Sequence, residues 1–143
     1  MAATRRAEAV WEGSLVDGAG RVTMASSGIG EFPVTWAART ETPDKTSPEE
    51  LLAAAHASCY AMACSHVLTG KGNPPEHLTV SAEYTFVPGT GVTNGELSVK
   101  GVVPGMDESA FQSAAEEAHA ACPISNVVRG NVEVTLNASL DPQ

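Results

Sequence analysis

The chain has 143 residues, with 17 acidic and 8 basic side chains and a formal net charge of −9. That length fits one domain with a real core, and residues 1–143 are expected to form a single domain. The acidity, with its Lys and Arg scattered, excludes a nucleic-acid surface, because phosphate recognition needs clustered positive charge.

No apolar run is expected to reach the length of a membrane span. The N-terminal MAATRRAEAVWEG carries two arginines without the apolar core of a signal peptide. A cytoplasmic location with no membrane partner is expected. Three cysteines in such a chain suit a reducing compartment, where thiols do chemistry, better than a secreted disulfide framework.

Taken in order, Arg6 to Val16 alternates loosely, and Asp17, Gly18 and Gly20 supply a turn. Arg21 to Ala25 reads as a second strand. After a Ser-Gly-rich turn, Phe32, Val34 and Trp36 alternate along a third, with Arg39 at its end, so an antiparallel meander is expected. Thr40 to Thr46 is a polar loop.

Ser47 to Gly72, SPEELLAAAHASCYAMACSHVLTGKG, is the stretch around which the chain is organised. Ser47 can cap the Glu50 amide while Glu50 reaches back, and Pro48 suits the first helical position. Ala, Leu and Met fill the body, and Gly70 or Gly72 can end it. Leu52, Ala55, His56, Cys59, Met62, Ala63 and His66 share one face by their three-and-four spacing. Leu51, Ala54, Ala61 and Val67 make much of the remainder apolar, so the helix is expected to be buried inside a dimer.

His77 to Val87 and Glu96 to Val103 alternate as strands joined by a hairpin loop at Pro88 to Gly95. Asp107 or Ser109 can cap a second helix whose stripe is Phe111, Ala114, Ala115, Ala118 and Cys122. Pro123 ends it, ISNVV gives a helical turn, and Asn131 to Leu140 closes as a strand. The whole reads as α+β, with antiparallel sheets packed around two core helices.

Cys59 and Cys122 each lie on a helix whose stripe wants a partner, so packing the stripes can bring the thiols together, although spacing alone does not establish a bond. Simple packing is the bland alternative, since free cysteine is among the most buried residue types. His56 stands three before Cys59 and His119 three before Cys122, and the two HxxC units offer two nitrogens and two sulfurs for a tetrahedral zinc site. The alternative function is therefore a metal-binding or structural dimer without turnover. A cysteine hydrolase lacks a base placed by any motif. Cys64 lies about 140° around the helix from Cys59 and reads as an apolar filler.

VWEG, WAARTE, PEELLAAAHASC, PGMDESAF and CPIS, spread over essentially the whole chain, resemble the OsmC/Ohr family of thiol peroxidases, in its osmotically inducible branch. The resemblance implies an intertwined homodimer in which Cys59 is the peroxidatic cysteine, Cys122 the resolving one, and Arg39 and Glu49 the polar pair of the site. It implies a cysteine-based antioxidant enzyme that reduces organic hydroperoxides and is reset by an external dithiol or lipoyl-type reductant, with no cofactor and no metal. A guanidinium favours a thiolate, and a carboxylate can hold that guanidinium by a two-pronged bond. Glu49 precedes Cys59 by ten residues, about 15 Å along one helix, so the two can share a site only through Arg39 or across chains.

Overall fold

The computed structural model describes residues 1–142. It contains six strands and four helices among them, in two compact units, Met1–Leu51 and Leu52 onward.

The first unit holds β1 (Glu8–Glu12), β2 (Ala19–Thr23) and β3 (Glu31–Val34) in an antiparallel meander of order β1-β2-β3. Gly20 in β2 is buried, and only glycine fits there because a Cβ would meet the Val10 carbonyl oxygen at 2.6 Å and the Trp11 ring at 2.7 Å. The third strand is shorter than its alternation implies. Thr35 accepts a bond from the Ala38 amide at 3.1 Å and caps a short helix α1 (Trp36–Thr40), so Arg39 sits in a helical turn rather than at a strand end.

Helix α2 runs from Pro48 to Gly70, 23 residues. The Ser47 hydroxyl accepts from the Glu50 amide at 3.1 Å as expected, but Glu50 does not reach back; its carboxylate accepts the Thr46 hydroxyl at 2.7 Å. At the far end Gly72 has φ +85, and the Asn73 amide closes onto the Leu68 carbonyl at 3.0 Å. Against the expectation that no apolar run reaches membrane-spanning length, α2 is long and apolar enough to cross a membrane by length and composition, a test that the core helix of a soluble protein also passes.

The face of α2 that packs inside the second unit is His56, Tyr60, Cys64 and Leu68, each with no solvent exposure. This is one residue row around from the expected stripe, and Met62 and His66 point outward. The aromatic Tyr60 settles the choice, since its hydroxyl donates to the Ala115 carbonyl at 2.8 Å inside the core.

Strands β4 (His77–Val87), β5 (Gly91–Val102) and β6 (Glu133–Leu140) form the second sheet, in the order β4-β5-β6. The β4–β5 hairpin turns tightly, with Gly89 at φ +84, so β5 begins at Gly91 and the expected long loop is mostly strand. The sheet is mixed, because β6 runs parallel to β5, against the wholly antiparallel expectation. The connection from β5 to β6 carries two helices, and a crossover of that length returns the chain in a parallel sense. Asp107 caps α3 (Glu108–Ala121) through the Ala110 amide at 2.8 Å, and Pro123 at the first position of α4 (Pro123–Val128) breaks the two helices apart.

The core of this unit joins Tyr60, Cys64 and Leu68 of α2 to Leu97 and Val99 of β5 and to Phe111, Ala114, Ala115 and Ala118 of α3, with Cys122 at its end. The alanines let α3 approach closely and leave room for the larger Tyr60 and Phe111.

Candidate redox site

Cys122 stands between α3 and α4, fully buried, and the small residues of the α3 stripe bring it to α2. There its thiol lies beside that of Cys59, which retains partial exposure; the two thiols are free rather than bridged. The two cysteines are therefore brought together as their stripes allow.

The two sulfurs differ in what surrounds them. Burial raises the Cys59 thiol above its ordinary value, the Ile124 amide pulls it down, and the hydrogen bond and charge of Cys122 push it up, for a net rise. Burial also pushes Cys122 up, but hydrogen bonds from the Ser125 hydroxyl and amide, from Cys59 and from the Ile124 amide outweigh it, and its thiol lies below the ordinary value. The two sulfurs thus differ in reach and in surroundings: Cys59 is the more exposed, and the hydrogen-bond donors gather around Cys122. Cys64 is fully buried and held up at about 11 by burial, although its hydrogen bond with Tyr60 opposes the rise, which fits its reading as a filler.

Behind Cys122 lies a polar cluster. His56, fully buried, places Nδ1 at 2.5 Å from the Tyr84 hydroxyl and Nε2 at 2.8 Å from Ser125 Oγ, and His119 Nδ1 is 2.9 Å from the same oxygen. Burial lowers the His56 imidazole below its ordinary value and the proximity of His119 lowers it further; His119 is lowered by burial and by Arg129, against a smaller opposite effect of Glu116. Both rings are therefore neutral at pH 7.

His56 thus makes hydrogen bonds through both ring nitrogens. Ser125 and Tyr84 were not singled out by sequence, because a serine in CPIS and a tyrosine in an alternating strand carry no distinctive spacing. The zinc alternative finds no gathered donor set. His56 has committed both nitrogens to hydroxyls, and among the described residues no three His, Cys, Asp or Glu side chains gather to hold a metal ion.

In the first unit, Arg39 and Glu49 form a two-pronged pair, with Nε donating to Oε1 at 2.9 Å and Nη2 to Oε2 at 2.8 Å. Trp36 lies under the guanidinium, its ring centre 5.8 Å from Cζ. Glu49 is nearly buried, so the pair is shielded from solvent more than a surface ion pair is. Beside it is an apolar pocket of about 570 Å³ lined by Trp11, Val22, Val34, Trp36, Arg39 and Leu51 among others.

The pattern for OsmC-like protein matches residues 41–137. The chain belongs to the OsmC/Ohr family. It is 34% identical over 143 residues to peroxiredoxin OsmC of Escherichia coli (strain K12), covering 98% of this chain and 99% of that protein. It is 36% identical over 96 residues to the organic hydroperoxide resistance protein of Xanthomonas axonopodis pv. citri (strain 306), covering 65% of this chain and 66% of that protein. An organic hydroperoxide resistance protein from Elizabethkingia anophelis, solved with thiocyanate bound, superposes with a TM-score of 0.75 at 28% identity, covering 99% of this chain and all of that one. Family membership and the paired Cys59 and Cys122 together support thiol-based redox chemistry for this OsmC/Ohr member.

Proposed function

We propose that the chain is a thiol-dependent peroxidase that reduces organic hydroperoxides to alcohols. The observation that carries this reading is the partly exposed Cys59 with its thiol beside the enclosed Cys122. One sulfur is placed to meet a peroxide and the other to close on it.

In this account Cys59 attacks the terminal peroxide oxygen, the O–O bond breaks, and the alcohol leaves as Cys59 becomes a sulfenic acid. Cys122 then displaces hydroxide from that sulfur, and the products are water and a Cys59–Cys122 disulfide. An external dithiol or lipoyl-type reductant restores both thiols and is itself oxidised to a disulfide. No other cofactor is called for by this cycle.

Since its surroundings raise the Cys59 thiol, attack as a thiolate calls for a cation beside it. Arg39 is that cation in our reading, and Glu49 aims it. The E. coli relative, matched over nearly the whole chain, is a named peroxiredoxin, which supports carrying these roles over. The apolar pocket beside Arg39 favours a hydroperoxide with an organic tail, because the tail buries apolar surface that hydrogen peroxide lacks.

We also read the protein as an intertwined homodimer of single-domain chains. Met62 on α2 is 73% exposed in one chain, and Trp11 and Phe32 of the first sheet are also open. A second copy is the cover we assign to these apolar side chains.

Turnover of cumene hydroperoxide with dihydrolipoamide tests the function. The intact chain and Cys64→Ala are expected to consume peroxide in multiple turnovers, and Cys59→Ser none. Activity retained by Cys59→Ser would refute the assignment.

A further inference from the structure

The cluster behind Cys122 is not used by the cycle above, although it contains the buried His56 and Ser125. Ser125 Oγ has one hydrogen to give and two lone pairs. Its three neighbours are His56 Nε2 at 2.8 Å, His119 Nδ1 at 2.9 Å and the Cys122 sulfur.

When the Ser125 hydrogen points at a Cys122 thiolate, both imidazoles must donate to the Ser125 oxygen. His56 then carries its proton on Nε2, which leaves Nδ1 as an acceptor, and the Tyr84 hydroxyl stands 2.5 Å away to donate to it. All of these donors and acceptors are then satisfied with both histidines neutral. An apolar residue at 125 would strip the sulfur of that donor and leave His56 Nε2 and His119 Nδ1 without the Ser125 acceptor.

We propose that Ser125, with its hydroxyl turned by His56 and His119, is a positioning residue that keeps the negative charge on Cys122. It does so when Cys122 attacks the sulfenic acid and again when Cys122 is expelled as the disulfide is reopened.

The proposal rests on the peroxidase reading for its place in the cycle, and it fixes the chemistry of reduction. A reductant thiolate attacks the more accessible Cys59 sulfur and forms a mixed disulfide there. The Cys59–Cys122 bond breaks, and its electron pair leaves on Cys122, the thiol whose thiolate is better held. The second thiol of the reductant then attacks its own bound sulfur, the reductant departs as a disulfide, and Cys59 is released as a thiolate that takes a proton from water.

The other ionisable groups around the cluster are compatible with this assignment. The Tyr60 and Tyr84 phenols are raised by burial first and by nearby thiol charge second, so both stay protonated. Glu116 and Arg129 act on His119 in opposite directions, and His119 and Ser125 line a pocket of about 220 Å³ with Arg129 and Glu133. His119 is half-buried, and of the two histidines it is the more exposed to water.

The test titrates Cys122 as the sole thiol in a Cys59→Ser/Cys64→Ala background, by thiolate absorbance against pH, with and without Ser125→Ala. Loss of the hydroxyl is expected to raise the Cys122 pKa by about one unit, a tenfold loss of thiolate at neutral pH. Ser125→Thr, which keeps the hydroxyl, should restore most of it. In chains with all three cysteines, a Cys59–Cys122 bond made with diamide should reopen in dithiothreitol about tenfold more slowly with Ser125→Ala. A monothiol should be trapped on Cys59.

A parental titration in Ser125→Ala, or a monothiol trapped on Cys122, would overturn the proposal. Because diamide closes the bond, neither result depends on peroxide, so a chain that ignores peroxide yet shows the Ser125 effect sinks only the peroxidase reading. The unaltered reduced protein supplies a measurement free of folding effects. Its ¹⁵N spectrum should show His56 protonated on Nε2 and His119 on Nδ1, and His56 protonated on Nδ1 would contradict the proposal.

Discussion

His56 Nε2 and Ser125 Oγ, 69 residues apart in the chain, meet at 2.8 Å in the interior of the second unit. A buried polar contact of this kind is stable only when every partner is satisfied, and among the described residues no buried side-chain nitrogen or oxygen lacks one. The contact ties α2 to α4 behind the cysteine pair, and it makes folding sensitive to protons.

The unfolded chain binds a proton at each histidine near the ordinary value of 6.5, whereas the folded chain holds both His56 and His119 below it. Folding therefore loses nothing to these groups above pH 6.5 and is progressively weakened as the pH falls through 6.5 toward the folded-state values. Urea midpoints should drop between pH 7.5 and pH 5.5, and the slope should be shallower in His119→Phe. A midpoint independent of pH in the intact chain would contradict neutral, buried imidazoles.

The three thiols should separate by reactivity. Cys59 keeps partial exposure, Cys122 is enclosed, and Cys64 is enclosed with its thiol at about 11. Iodoacetamide at pH 8 should label Cys59 first in the folded, reduced protein and leave Cys64 unmodified until urea is added, as read by peptide mass. Early labelling of Cys64 would count against this packing.

Gly101 in β5 has no room for a side chain, since a Cβ there would stand 2.9 Å from two atoms of the Phe111 ring and 3.1 Å from Leu78 Cδ2. Phe111 is fully enclosed, so it cannot move aside freely. Gly101→Ala should lower stability by about 1–3 kcal/mol. Tyr60→Phe, which removes the hydroxyl bond to the Ala115 carbonyl, should cost about 1 kcal/mol, and both are measured by urea titration.

Much of this unit was legible in the sequence because periodicity records burial. The α3 stripe, its Asp107 cap and the Pro123 break stand where the pattern put them. The α2 face was harder, since an Ala-rich helix that is apolar nearly all round does not tell its inner row from its outer, and only the packed Tyr60 decides it. The parallel course of β6 and the tight β4–β5 turn depend on chain path and glycine conformation rather than alternation. At the site, paired cysteines and the Arg39–Glu49 match are visible because they carry a motif. The Ser125 cluster is assembled from four elements and leaves no local trace.

The Arg39–Glu49 pair gives a further prediction. Arg39→Lys keeps the charge but loses the planar fork that meets both Glu49 oxygens. Peroxide turnover should fall by about 10²-fold or more, with the rate of diamide-driven disulfide formation unchanged. Stability should fall by about 1–3 kcal/mol, less than for a fully enclosed pair because Arg39 is partly solvated. Equal losses in the diamide and peroxide reactions would assign Arg39 a purely structural part.

The central claim is that Cys59 and Cys122 act as one redox pair on an organic hydroperoxide. Reduced protein treated with one equivalent of cumene hydroperoxide and digested under alkylating, acidic conditions should yield a single new cross-linked peptide joining Cys59 to Cys122, with Cys64 alkylated and two thiols lost per chain. Three free thiols after exposure, or a stable bond that includes Cys64, would contradict the account.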